Sequence, residues 1–307
     1  MPTEPLHTIL DRDLSKAIGK PTIEIAVPLL RELVNDATHV FARCHNSVKS
    51  KEDEHVPILF SYLHIIQMAD AIEALLAEGC SAAAVLPLRS SFEAVLAIRY
   101  ILDADSKRRS SAYMVAYCHR RIRMYKLLDS DTREGSDFIK DLSADEALGQ
   151  IDVANLKQEA KKGMQNLGNL IKKERNTDAE AEYQRLKSER RREPEWYQLF
   201  GGPPNLRELA GRLNYRARYD FLYRSWSNIA HAGDLSRFIT RTGNGKSAIN
   251  PIRNTDNLAS IASFAAWVML EAKKLVLAKF RPGEEASFAG WYLAEIRGKY
   301  LTLCKPH

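Results

Sequence analysis

The sequence predicts an all-α protein. Two observations carry that prediction. Apolar residues recur at helical intervals through nearly every long stretch. No convincing set of alternating strands and no internal repeat interrupts them. The elements follow in chain order. The N-terminal fifty residues give one helix, near Ile23 to Ser47. In DEHVPILFSYLHIIQMADAIEALLAEG the residues Ile58, Leu59, Leu63, Ile66, Ile72 and Leu75 share a helical stripe, and Gly79 stops the run. SAAAVLPLRSSFEAVLAIRYILD follows as a second helix, in which Pro87 sits in an early turn or kinks the rod. A third runs from about Asp105 to Leu128. The stretch from Leu156 to Glu193, with KKERN and KSERRRE, reads as one or two exposed, charged helices, since its mixed-sign, Pro-poor composition favours helix over disorder.

Gly201, Gly202, Pro203 and Pro204 break the chain sharply, and Asn205 is placed to cap the short helix LRELAGRL. Tyr215 to Ala232 follows, ended by Gly233. The segment 234–256 is the one clear loop, with room for a small hairpin. Leu258 to Phe280 is an apolar helix and Phe288 to Leu303 a final one. This organisation gives an N-terminal helical extension over 1–54 and a helical bundle over 55–307 that includes a long charged helical insert at about 143–200. The core of the bundle is expected from His55 to Leu128 and from Tyr215 to Phe280.

Composition bounds the function classes. The chain has 307 residues, 45% hydrophobic and 27% charged, which excludes wholesale disorder and leaves room for one large domain or two ordinary ones. The net charge of +6 is mild; it suits a polyanionic partner without demanding one. Cys44, Cys80, Cys118 and Cys304 never pair at CxxC spacing, and scattered thiols in a chain of this size suggest a reduced, cytoplasmic protein. The first residues lack the basic-then-apolar order of a signal peptide. The most apolar stretches, Cys80 to Leu102 and Leu258 to Leu277, are cut by Arg89, Glu93 and Arg99 and by Glu271, Lys273 and Lys274, so no membrane span is expected.

The segment YRARYDFLYRSWSNIAHAGD carries the chemistry. Tyr219, Leu222, Tyr223, Trp226, Ile229 and Ala230 form the expected buried stripe, and beside it lie Arg224, Asn228 and His231. Offsets of four and seven put Asn228 and His231 within about 40° of Arg224, on one face, at about 100° per residue. Arg224 and His231 stand two turns apart, roughly 10 Å at about 1.5 Å per residue, so they can converge on one phosphate or meet a second copy across an interface. A histidine can take the proton of a ribose 2′-hydroxyl or give one to the leaving oxygen near neutral pH. An arginine can hold the non-bridging oxygens and the charge that develops on them. Asn228 can orient either.

Arg224-SWSNIA-His231 resembles the R-x4-6-H motif of the HEPN superfamily. Together with PLRSSFEAVLAIRYIL upstream, it is similar to an uncharacterised bacterial helical family related to that superfamily, over roughly Pro57 to Leu128 and Asn205 to Lys279. The resemblance implies a HEPN-like helical bundle. It implies a homodimeric endoribonuclease that needs no metal and no cofactor, leaves 2′,3′-cyclic phosphate ends, and acts in toxin–antitoxin, abortive-infection or other antiviral defence systems, with RNA as substrate and an antitoxin or defence protein as a further partner. Arg224 and His231 match the motif's pair. Ser225 stands where a polar Asn, Asp or His commonly follows the arginine, and the spacing of six is the longest the motif allows. The superfamily also holds members that bind nucleotides or partners without cutting.

Other residues have a structural and a functional reading side by side. Arg89 and Glu93, four apart on a largely apolar helix with Ser90 between them, are either a structural ion pair or supports for Arg224 and His231, with Glu93 holding one of them in place. Lys172, Lys173, Arg190, Arg191 and Arg192 sit on a solvated helix or form a phosphate-contacting arm. Thr240-RTGNG-Lys246-Ser247 ends like a phosphate-binding P-loop, but Thr240 replaces its first glycine and Pro251 stands where the following helix would run. His45 beside Cys44 and His119 beside Cys118 lack metal-ligand spacing, so no metal site is expected. Tyr113, Tyr117, Tyr125 and Trp226 recur at helical spacing and read as core.

Overall fold

The computed structural model describes residues 3–48, 53–230, 238–241 and 247–305, less the side chains of 53, 224–230, 240 and 241. The fold is all-α, as the periodicity predicts. Its strands among the described residues are β1 (Ile239–Arg241) and β2 (Ser247–Ile249), an antiparallel pair with Ile239 opposite Ile249. The chain divides into two compact units: residues 1–104 with 210–307, and residues 105–209.

The first unit is built on α1 (Arg12–Ser47), α2 (Val56–Ala77), α3 (Ser81–Asp103) and α10 (Leu258–Phe280). The expected extension is part of this core. α1 packs on α2 and α10, and it starts well before Ile23 because the Asp11 carboxylate caps it, accepting the Leu14 N–H at 2.8 Å. Ala26, Leu30, Leu33, Ala37, Val40 and Cys44 form its buried stripe, although Pro21 and Pro28 lie within it. The stop after α2 is as read: Gly79 takes a left-handed φ of +69°, and the Cys80 N–H closes back on the Leu75 carbonyl. The three-residue connection makes α2 and α3 an antiparallel hairpin. Pro87 lies inside α3, which continues through it.

α2 and α3 are, by length and composition, apolar enough to cross a membrane, but about half of each apolar window (44% and 56%) is buried in the fold. α10 packs on α1, α2 and α3 through Ile261, Ala265, Met269, Ala272 and Val276. Its Lys273 is buried yet ionically paired: Nζ donates to Asp36 Oδ2 on α1 at 2.6 Å and lies 3.7 Å from the Trp291 ring centre. Burial lowers the Lys273 pKa against the opposing pull of Asp36. The expected final helix is present and begins slightly earlier: α11 (Glu285–Trp291) runs through a π-helical stretch over Tyr292–Ile296 into α12 (Arg297–Leu303) without a break. α9 (Arg216–Ala230) packs on α3.

The second unit holds α4 (Ser106–Lys126), α5 (Arg133–Ala144), α6 (Val153–Ile171) and α7 (Thr177–Arg190), followed by a 3-10 segment at Trp196–Gly201; α8 (Leu206–Arg212) leads out of it. α4, expected in the core of the main bundle, is instead the hub of this unit and packs on α6, α7 and the 3-10 segment. The physical reason is composition. α4 buries only small residues, Ser110, Ala112, Val115, Ala116 and Cys118, and of these Ala112, Val115 and Ala116 fit against Ala179, Tyr183, Leu186 and Leu199. Tyr117, read as core, is exposed; Tyr113 packs on Trp196 with ring centres 5.1 Å apart.

Candidate functional site

Within the first unit α9 is fastened at two points, to α10 and to α3. At its start, Asn214 takes a left-handed φ of +64° and turns the chain so that Tyr215 precedes the helix. The Tyr215 hydroxyl donates to Glu271 Oε1 at 2.6 Å, and the ring meets Trp267 edge-on. Arg218, one turn in, lies 4.2 Å from the Trp267 ring centre. Further along, Leu222 is fully buried and Tyr223 is bound from α3: its hydroxyl donates to Glu93 Oε1 while the Arg89 guanidinium lies 4.2 Å over its ring. Tyr219 stacks on Tyr223 with ring centres 4.2 Å apart. Burial, then the Glu93 carboxylate, pushes the Tyr223 pKa well up, so the phenol stays protonated and keeps donating.

This changes the role expected of the Arg89–Glu93 pair. The two groups do meet the motif helix, but the side chain they hold is Tyr223, the residue before Arg224. Between them Ser90 shares a hydrogen bond of 2.7 Å with His64 Nε2 on α2. α9 carries Arg224 and Asn228 one turn apart near its C-terminal end. The side chains of Arg224 and Asn228 lie outside the described residues, and so does His231 altogether.

The remaining candidates fall elsewhere. Lys172 and Lys173 follow α6, while Arg190, Arg191 and Arg192 sit at the far end of α7. The length of α7 up to Arg190, about 20 Å of helix, lies between the two groups, so they form no single patch. The face of α7 between them is largely neutralised: Arg185 pairs with Glu182 and Glu189 at 2.8 and 2.6 Å, and Arg190 donates to Gln198 Oε1 at 3.0 Å. The P-loop-like segment is bounded by β1 and β2, with Ser247 in a strand where that motif requires a helix. His45 stacks on Phe41, and His119 pairs with Glu180 at 2.7 Å and stacks on Tyr183. Among the described residues no three His, Cys, Asp or Glu side chains gather as they would to hold a metal ion.

The sequence reading missed Tyr223 as the anchor and His64 as the partner of Ser90. The signal for the first was present: Tyr219 and Tyr223 stand four apart, and a tyrosine facing a helix that carries Arg and Glu has a hydroxyl to satisfy. His64 gave no such signal, because only the α2–α3 register brings it to Ser90.

A family model, described as a family of unknown function (DUF5677), matches residues 55–247, more than half of the chain. The chain belongs to that family. The DUF5677 match opens at His55, just before α2, and closes in β2, so it contains α3, the Tyr223 anchor and the Arg224–His231 segment. It leaves out α1 and α10, which complete the first unit's core. No curated protein and no solved structure matches the chain.

Proposed function

We propose that this DUF5677 protein is a HEPN-type, metal-independent endoribonuclease, working as a homodimer in the cytoplasm as an abortive-infection or toxin–antitoxin effector. The observation that carries the reading is the anchoring of α9. Tyr223, adjacent to Arg224, is held by Arg89 and Glu93, so the helix bearing the motif has a fixed rotation and height on the all-α core. A held helix suits such chemistry, because groups that are preorganised stabilise developing charge without moving. In the proposed reaction His231 takes the proton from a ribose 2′-hydroxyl. The 2′-oxygen bonds to phosphorus, and the 5′-oxygen leaves with a proton from the imidazole of a second copy. Arg224 holds the non-bridging oxygens, and Asn228 orients the reacting groups.

The test is cleavage of an RNA and of a DNA of the same sequence, each by the wild type and by His231→Ala. The expected outcome is cleavage of RNA alone, with a loss of about 10²-fold in the variant while its helical circular dichroism is kept. Equal cleavage by both proteins, or undiminished cutting of DNA, refutes the reading. The second reading is a non-catalytic module that binds a nucleotide, RNA or protein partner. It is favoured by the way Arg89 and Glu93 are occupied with a structural task. It predicts that any toxicity on overexpression is indifferent to Arg224→Ala.

A further inference from the structure

One end of the second unit carries two groups of opposite charge that leave each other unpaired. α5 starts there: Thr132 Oγ1 caps it, accepting the Gly135 N–H at 3.0 Å, and Gly135 lies against the Lys126 and Asp129 carbonyls at the end of α4. The turn that follows α7 lies at the same end, because Arg123 and Arg120 in the last turns of α4 pair with Glu193 and Glu195. The α5 side is acidic. Residues 129–152 hold eight carboxylates against Arg133 and Lys140. Glu134, Asp137 and Asp141 are exposed, and among the described residues Asp137 alone of the three meets a cation, Arg133 at 3.9 Å. Phe138, also exposed, is one helical turn from both Glu134 and Asp141, so a phenyl ring stands among the carboxylates. Gly135 is the one buried residue of α5, and no other helix packs closely on it. On the α7 side, Arg191 and Arg192 are exposed and, among the described residues, pair with no carboxylate.

We propose that this end of the unit is a docking surface for a second copy of the chain, in which α5 of each copy receives Arg191 and Arg192 of the other. The charge pattern fits that occupant. An acidic and a basic patch side by side on one end are self-complementary about a two-fold axis, so the contact is made twice and the pair closes. Within one copy the two patches form no ion pair with each other, so both remain open to a partner. A guanidinium suits the α5 face, since it can take two carboxylate oxygens and lie on the Phe138 ring. The carboxylates do not gather as metal ligands would. All these groups are exposed, so each pair contributes little and the association is sensitive to salt. The proposed nuclease also needs two copies, through α9; this contact uses other residues and stands without it.

The experiment is sedimentation velocity of the full chain, free of nucleic acid, for the wild type and two double variants. One carries Glu134→Lys and Asp141→Lys; the other carries Arg191→Asp and Arg192→Asp. Aspartate suits position 191, where the backbone is left-handed at φ +51°. The wild type is expected to self-associate at low salt and to dissociate as salt rises. Each variant alone sets like charge against like charge and is expected to associate about tenfold more weakly or worse. In an equimolar mixture of the two variants, one contact is native and the other has its charges exchanged, so association is expected to return close to that of the wild type. A misfolded variant could not restore it. A wild type that stays monomeric at low salt, variants that associate as the wild type does, or a mixture that stays dissociated overturns the proposal. Association indifferent to these four residues removes this surface and leaves the nuclease reading to its cleavage test; cleavage indifferent to His231 does the reverse.

Discussion

Tyr223 shows how one phenol can do three things at once. Its ring fills the α3–α9 contact, its face accepts a guanidinium, and its hydroxyl satisfies a carboxylate on an otherwise apolar helix. Tyr223→Phe keeps the ring and the cation–π contact and deletes only the donor. A hydrogen bond to a charged acceptor is worth about 1.5–3 kcal/mol, and the exposure of Glu93 lets water replace part of it, so the expected loss is about 1 kcal/mol in urea unfolding. Unchanged stability would show that the hydroxyl does not hold the helix. Sequence alone placed Arg89, Glu93 and Tyr223 on facing apolar helices but could not join them. Which pair of helices meets, and at what height, is set by packing over the whole core, and residues 130 positions apart carry no local sign of it.

At the scale of elements, periodicity was the dependable guide. α10 spans the predicted Leu258 to Phe280, and the Gly79 stop falls where it was read, because a long amphipathic stripe and a left-handed glycine are local facts. The departures are tertiary. α1 extends upstream of its apolar pattern since a capped helix needs no apolar stripe in its first turns. α4 joins the second unit because its small buried residues suit close packing, and Gly163 on α6 completes that contact. A Cβ built there would stand 2.5 Å from the Tyr125 ring of α4. Gly163→Val therefore requires the Tyr125 ring to leave its place on α6, at an expected cost of about 1–3 kcal/mol, read as a lowered melting temperature. An unaltered melting temperature would mean that the Tyr125 ring adds nothing to the α4–α6 contact.

For the molecule as a whole, pH sets the stability window. Burial, reinforced by Glu284 and Glu180 respectively, raises the Cys44 and Cys118 thiols from 9.0 to about 11. The folded chain keeps these protons where the unfolded chain sheds them, so their contribution is complete below pH 9 and drains away as the pH climbs toward 11. On the acid side, Arg185 hydrogen bonds hold Glu182 below its ordinary 4.5 against a smaller opposing effect of burial. Its contribution is present above that value and is lost as the pH falls through the lower folded one. Melting temperatures across a pH series are expected to plateau between about 5 and 9 and to fall on both sides; a rise above pH 9 would contradict the burial of the two thiols.

Cleavage of a defined RNA by the purified full chain in the presence of a metal chelator, with the product ends identified by mass, addresses the proposed activity most directly. The expected fragments end in a 2′,3′-cyclic phosphate and form equally well with and without the chelator. Fragments that end in a 3′-hydroxyl and vanish when the chelator is added would contradict it.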